Sequence, residues 1–135
     1  MNESSNIFIN KKILIYGLGK SGISAFHFLK KYNNISLFDD QENIKINKIS
    51  NNIIKSYNKI QKSRFDIIIL SPGININNCK LKKLLKKNIK IIYTDLDVFH
   101  SFYPNKCIAI TGTNGKSTTC QLLYEVIKKQ GLDVK

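Results

Sequence analysis

The sequence contains no tryptophan, two prolines, a single arginine and three cysteines among its 135 residues. Cys79, Cys107 and Cys120 show no paired spacing, so they predict neither a disulfide framework nor a metal site. Buried, reduced thiols in a cytosolic protein are the expected state. The polar start, residues 1–12, lacks the apolar core of a signal peptide, and no apolar run approaches the roughly 18 residues that span a membrane. These absences predict a cytoplasmic protein that does not enter a membrane.

Positive charge dominates the composition. Lys and Arg number 22 against 9 Asp and Glu, which gives a net charge of +13. Nucleic-acid binding is one interpretation of such a charge. Proteins that read bases typically use Arg with interleaved aromatic residues, whereas Arg64 is the only Arg here. We therefore expect no nucleic-acid partner, and a solvated coat of Lys side chains that helps to attract an anionic substrate.

Apolar runs alternate with helical patterns along the chain, and 42% of the residues are hydrophobic. Strands that alternate with helices indicate right-handed crossovers and a parallel sheet, so the expected fold class is α/β. The predicted strands lie at 13–16, 35–38, 66–70, 89–93 and 107–110, with a short one near 53–54. The predicted helices lie at 21–32, 78–87, 95–100 and 116–130. Pro104 marks a boundary, and Gly131 suits the position after a helix end.

A glycine-rich turn follows the first predicted strand. Between strand and helix, the chain fits the pattern G-x-G-x-x-G with Gly17, Leu18, Gly19, Lys20, Ser21 and Gly22. The first glycine permits the tight turn, the second lets the backbone approach a phosphate, and the third lets helix and strand pack closely. Exposed amides at the helix start attract an anion. Asp39 closes the next strand, where its carboxylate can accept a hydrogen bond from a ribose or uracil group. On this motif alone, an NAD-binding domain and a turn without a ligand both stay open.

A second junction between an apolar run and a helix carries a stronger motif. Its loop consists of Thr111, Gly112, Thr113, Asn114, Gly115, Lys116, Ser117 and Thr118. Backbone amides of such a loop cradle phosphate oxygens. The lysine neutralises the β- and γ-phosphates, and the serine hydroxyl coordinates Mg²⁺. The ordinary P-loop has a glycine where this chain has Ile110, so the motif is a distinct and more restrictive variant. It predicts an ATP-binding loop with Lys116 as the catalytic residue and Ser117 as the metal ligand.

The motif Thr-Gly-Thr-Asn-Gly-Lys-Ser-Thr resembles the ATP loop of the Mur ligases and of the folylpolyglutamate synthases. The latter have no Rossmann-like domain ahead of the loop, so the leading glycine turn favours the Mur ligases. Within that family, the glycine motif is usual in the members that add L-alanine and in those that add D-glutamate.

Three features resemble the D-glutamate-adding members more closely. They are the form of the glycine motif, the segment Ser71-Pro72-Gly73-Ile74, and the segment Asp95-Leu96-Asp97-Val98-Phe99 ahead of the ATP loop. The resemblance extends over residues 11–135 and is weakest between Gln41 and Lys62. An L-alanine-adding ligase is the alternative within the family.

The resemblance implies two domains. Residues 1–104 would form a Rossmann-like domain that binds the UDP part of the substrate, and residues 105–135 would begin a truncated central ATP-binding domain. One strand and one helix are too little to bury a core. The UDP-binding residues implied are Gly17, Leu18, Gly19, Lys20, Ser21, Gly22, Asp39, Asp40 and Gly73, and the ATP-binding residues are Gly112, Thr113, Asn114, Gly115, Lys116, Ser117 and Thr118.

The reaction implied is ATP-dependent amide-bond formation. The alanyl carboxylate of UDP-N-acetylmuramoyl-L-alanine attacks the γ-phosphate to give an acyl phosphate, and the amine of D-glutamate then displaces phosphate. ATP and Mg²⁺ are the cofactors expected, and a monomer is the expected state. Because the family's further Mg²⁺ ligands lie downstream, we expect the chain alone to be inactive. A stand-alone regulatory module that binds NAD or ATP is the alternative from another class.

Overall fold

The computed structural model describes residues 6–41, 53–104 and 106–134. The chain divides after Pro104 into two compact units. Within the described ranges, no helix has the length and apolar character that crossing a membrane requires. Residues 42–52, half of the interval 41–62 that is hardest to interpret from the sequence, lie outside the described residues.

The first unit is built on a four-stranded parallel sheet with the strand order β2-β1-β3-β4. Its strands are β1 (Lys12–Tyr16), β2 (Asn34–Phe38), β3 (Ile67–Leu70) and β4 (Ile92–Tyr93). Ile15 in β1 lies opposite Leu37 on one side and Ile69 on the other. β1 is therefore a central strand, which suits its run of four buried residues.

Helices cover both faces of this sheet. Successive side chains of a strand point to opposite faces, so the residues of β1 divide between two apolar clusters. The helices of the first unit are α1 (Lys20–Leu29), α2 (Tyr57–Gln61), α3 (Lys82–Lys87) and α4 (Asp95–Phe102). Ile13 and Ile15 pack in one apolar cluster with residues of α1 and α4. Leu14 and Tyr16 pack in a second cluster with residues of α2 and α3. The predicted α/β class with a parallel sheet is confirmed, and the sheet is consistent with a Rossmann-like domain.

Local polar contacts explain where the helices differ from their predicted bounds. The helix predicted at 21–32 ends at Leu29, whose carbonyl oxygen accepts a hydrogen bond from the Asn33 side chain at 3.1 Å. The helix predicted at 78–87 begins only at Lys82. Ahead of it, the Asn75 side chain accepts a hydrogen bond from the Asn77 amide at 2.9 Å, a turn that competes with helix formation.

Two predicted strands are shorter than expected. Residues 89–93 begin with a 3₁₀ turn, Ile89–Ile91, and only Ile92–Tyr93 pairs with β3. Near 53–54, Ile54 forms a single parallel bridge with Leu37.

In the second unit, the described residues 106–134 form one helix, α5 (Lys116–Lys129), close to its predicted bounds. Gly131 follows it with φ +74°, as the sequence predicts for a residue after a helix end. The prediction of a strand at 107–110 is wrong, because these residues have no regular structure. A strand requires a partner for its backbone groups, and residues 106–134 offer none. No residue in that range is buried, as expected for so short a unit. The prediction of buried thiols is therefore wrong for Cys107 and Cys120, which are exposed.

A complete capping box begins α4. The Thr94 hydroxyl accepts a hydrogen bond from the Asp97 amide at 3.3 Å, and the Asp97 carboxylate accepts one from the Thr94 amide at 2.7 Å. We expect Thr94→Ala to lower the free energy of unfolding by about 1 kcal/mol. Leu96→Ala is the control, because Leu96 lies in the same turn and is 73% exposed. Urea unfolding of both variants measures the difference, and equal losses would contradict the role of the box.

Candidate functional site

The candidate site of the first unit lies at the carboxyl edge of the sheet. The chain passes from β1 to β2 on one side and then to β3 on the other side of β1. Ligands of open α/β sheets bind at such a point of reversal, in the crevice outside the strand ends. The glycine turn after β1 and the segment Ser71 to Gly73 after β3 both lie at this edge.

Two glycines of the turn are required by packing. Gly17 has φ +95°, and a Cβ atom there would lie 2.7 Å from Ser71 Cβ. A Cβ atom on Gly22 would lie 1.9 Å from the Gly17 carbonyl oxygen. Gly19 has no neighbour within 4 Å of its Cβ position. The tight turn at Gly17 and the close packing at Gly22 are as the sequence predicts, whereas Gly19 faces open space.

Ser71 is a site residue to which the sequence analysis gave no role. Its hydroxyl donates a hydrogen bond to the Gly17 carbonyl oxygen at 2.7 Å, and its amide donates to the Tyr16 carbonyl oxygen at 2.9 Å. These bonds join the turn after β1 to the end of β3. The serine in the Ser-Pro-Gly segment was the available signal, but its partner lies 54 residues away.

Asp39 holds the glycine turn from the side of β2. One carboxylate oxygen accepts a hydrogen bond from the Leu18 amide at 2.7 Å, and the other accepts one from the Gln41 amide at 2.9 Å. Leu18 itself is buried. The structure therefore gives the Leu18 amide a protein acceptor.

Asp40 is bound by a residue that sequence reasoning assigned only to a strand. The Tyr16 hydroxyl donates to one oxygen of the Asp40 carboxylate at 2.5 Å, and the Lys80 amide donates to the other at 3.2 Å. Tyr16 is fully buried. The pKa of Tyr16 is raised far above the ordinary tyrosine value of 10.0. Burial is the largest cause, and the hydrogen bond to Asp40 and the neighbouring Cys79 thiol raise the pKa further.

The remaining predicted residues of this site differ in exposure. Lys20 and Gly73 are exposed, and Ser21 is half-buried. The first turn of α1 leaves amides without an intrahelical acceptor, and its end of the helix dipole is positive. The structure thus brings the start of α1 and the turns after β2 and β3 to one sheet edge.

The loop of the second unit curls around its lysine. The Lys116 ammonium donates to the carbonyl oxygens of Gly112 and, at 3.2 Å, of Thr113. Gly112 has φ +150° and Gly115 has φ +77°, values that favour glycine. The first residues of α5 have the free amides of any helix start. Thr113, Asn114, Ser117 and Thr118 are exposed. In the described part of the chain, no group of three or more His, Cys, Asp or Glu side chains could hold a metal ion.

Comparison with known proteins decides the family. Residues 11–93 match the family described as Mur ligase MurD-like, N-terminal domain. The chain belongs to the MurD-like Mur ligases. This match covers the sheet, the glycine turn and the Asp39 and Asp40 positions of the first unit.

Several relatives of this MurD-like chain carry the name UDP-N-acetylmuramoylalanine–D-glutamate ligase. The protein from Rickettsia prowazekii is 40% identical over 132 residues, which are 95% of this chain and 29% of the relative. The protein from Lachnoclostridium phytofermentans is 35% identical over 90% of this chain and 29% of its own length. A Haemophilus influenzae protein is 34% identical over 96% of this chain and 30% of its own. The MurD-like chain therefore spans about three tenths of the length of these relatives.

The glycine packing predicts opposite outcomes for two alanine variants. Gly22→Ala forces a Cβ atom against backbone, so we expect it to lower the free energy of unfolding by at least about 3 kcal/mol. Gly19→Ala meets no neighbour, and we expect a change within about 1 kcal/mol. Thermal unfolding of the two variants makes the comparison, and similar melting temperatures would refute the packing role of Gly22.

The buried Tyr16 hydroxyl predicts a dependence of stability on alkaline pH. Tyr16 stays protonated in the folded chain at a pH where unfolded tyrosine ionises. Its contribution to the free energy of unfolding is therefore complete well below pH 10 and decreases as the pH rises above 10. The stability advantage of the wild type over Tyr16→Phe should shrink by about 1 kcal/mol between pH 10 and 11. Both proteins retain Asp40 and Cys79, so urea unfolding at each pH isolates the hydroxyl. A constant difference would contradict the shifted pKa.

Proposed function

We propose that this chain carries the UDP-substrate-binding domain and the ATP loop of a ligase that adds D-glutamate to UDP-N-acetylmuramoyl-L-alanine in peptidoglycan precursor synthesis. The main support is the glycine turn at the reversal point of the sheet in a chain that belongs to the MurD-like Mur ligases. The domain boundary after Pro104 and the cytoplasmic location are parts of this proposal. Because the chain spans about three tenths of its relatives, ligand binding is the property that we expect these residues to show alone.

The first unit would hold the diphosphate at the start of α1. The free amides of the helix start and the Lys20 ammonium supply positive charge there. The open space at Gly19 lets a phosphate approach the backbone. Ser21 is half-buried at the same end, and its hydroxyl can donate a further hydrogen bond.

The uridine would lie between the turns after β2 and β3. Asp39 keeps further lone pairs for a ribose or uracil donor, because an ionised carboxylate accepts about four hydrogen bonds. Exposed Gly73 has no atom within 4 Å of its Cβ position, so a ring can approach its backbone. Leu18 would act by keeping the turn in place through its bond to Asp39, a role different from the direct contact implied by the resemblance.

The loop of the second unit would bind the phosphates of a nucleoside triphosphate. The two carbonyl oxygens hold the Lys116 ammonium at the loop, at the positive end of α5. Gly112 to Thr118 would hold the phosphates, with Ser117 as a ligand of Mg²⁺. ATP supplies the phosphoryl group that activates the substrate carboxylate as an acyl phosphate. The residues of this chain would contribute position and charge neutralisation, which carry most of phosphoryl-transfer catalysis.

Titration of the purified chain with four ligands tests the first unit. We expect binding of UDP-N-acetylmuramoyl-L-alanine and of UDP, and at least tenfold weaker binding of NAD, because NAD lacks the uracil. Calorimetry measures each affinity. A preference for NAD would favour a regulatory dinucleotide-binding module, and a preference for UDP-N-acetylmuramate over its L-alanyl form would favour an L-alanine-adding ligase.

A matched pair of lysine variants tests the ATP loop. Hydrogen bonds to charged groups contribute about 1.5–3 kcal/mol, so Lys116→Ala should weaken ATP binding at least about tenfold. Lys128→Ala removes the same charge from the same helix, away from the loop. The Lys128 ammonium donates a hydrogen bond to the Tyr124 hydroxyl at 3.3 Å and lies 5.4 Å from the centroid of the Tyr124 ring. It should retain ATP affinity within about twofold. Equal weakening by both variants would show that only net charge matters.

A further inference from the structure

A buried tyrosine connects three segments at the carboxyl edge of the sheet. Tyr16 ends β1, and its hydroxyl donates to Asp40 in the turn after β2 at 2.5 Å. The second oxygen of Asp40 accepts from the Lys80 amide at 3.2 Å, in the segment between β3 and α3. Since β2 and β3 flank β1, this chain of hydrogen bonds joins the turns on both sides of the glycine turn.

Packing alone does not require the tyrosine hydroxyl. The ring of Tyr16 lies 5.4 Å from the ring of Phe38 and is fully buried in an apolar cluster. A phenylalanine would fill the same space without a polar atom that must find a partner. The hydroxyl is satisfied by Asp40, and no described buried side-chain polar atom lacks a partner. The hydroxyl therefore serves the connection to Asp40.

Both oxygens of the Asp40 carboxylate are already engaged by the protein. The nearby diphosphate site requires positive charge, and a second negative group there would repel the ligand unless it served another purpose. A carboxylate that accepts from a hydroxyl and an amide in different segments instead fixes the spacing of those segments.

We propose that Tyr16 is a positioning residue for the uridine part of the substrate. Its hydroxyl holds the Asp40 carboxylate, which links the turn after β2 to the segment before α3. We call this link, formed by Tyr16, Asp40 and the Lys80 amide, the strut. This role rests on the proposed function of the first unit. Asp40 acts through the strut and not as a direct ligand. The diphosphate is bound at the start of α1, which the strut does not touch, so the strut affects the uridine contacts selectively.

A double-mutant cycle with two ligands tests this role. Affinities of the wild type, Tyr16→Phe, Asp40→Ala and the double variant are measured for UDP and for inorganic diphosphate. We expect Tyr16→Phe to weaken UDP binding about 5- to 10-fold, as the loss of one hydrogen bond would. Diphosphate binding should change less than about twofold. The double variant should bind UDP no more weakly than Asp40→Ala, because both substitutions break the same strut.

Tyr57→Phe is the control, since Tyr57 is 44% exposed on α2 and its hydroxyl takes no part in the strut. Unchanged UDP affinity in Tyr16→Phe together with a large loss in Asp40→Ala would make Asp40 a direct ligand and overturn the proposal. Additive losses, or equal losses for both ligands, would also overturn it. If Tyr16→Phe does not fold, Lys80→Pro takes its place in the cycle, because it removes the amide that donates to the second Asp40 oxygen and leaves the carboxylate in place. A wild-type chain that binds no UDP would reject the proposed function itself and this role with it.

Discussion

The carboxyl edge of the sheet depends on one close contact, in which the backbone of Gly17 meets Gly22 and the Ser71 side chain. The Gly17 carbonyl oxygen lies where any side chain on Gly22 would begin, and the same oxygen accepts the Ser71 hydroxyl bond. This contact places the start of α1 directly above the end of β1. The amides that would bind a phosphate are therefore positioned by backbone packing, and the exposed Lys20 adds charge to a site that is already formed.

Two neighbouring aspartates then fix the edge from the side of β2. Asp39 holds the glycine turn through the Leu18 amide, and Asp40 joins the end of β1 to the segment before α3 through Tyr16 and Lys80. Carboxylates beside an anion site would ordinarily oppose binding. Here their oxygens accept hydrogen bonds from amides and a hydroxyl, so they anchor the loops at this edge of the sheet. The excess of Lys in the chain also reduces the repulsion between these carboxylates and an anion.

The sequence was sufficient for the features that depend on local pattern. The buried runs predicted β1, β2 and β3, and the glycine pattern predicted the turn and the helix that follows. It failed at 107–110, where an apolar run had no strand to pair with. The partners of Asp39 and Asp40 were not predictable, because Tyr16 read as an ordinary strand residue and its contact with Asp40 bridges 24 positions. Whether the predicted residues bind UDP and ATP stays a prediction that depends on the ligand measurements.

The position of β1 in the sheet also affects how the chain acquires its structure during synthesis. β1 leaves the ribosome first, yet its partner β3 follows 54 residues later, as the separation of Gly17 and Ser71 shows. At about 5–20 residues per second, one edge of this apolar strand waits on the order of 3–10 s for its neighbour. Of the described strands, only β2 can pair with it during that interval. The central strand that organises the finished sheet is thus the one exposed longest to unintended pairing, and early association with chaperones would protect it.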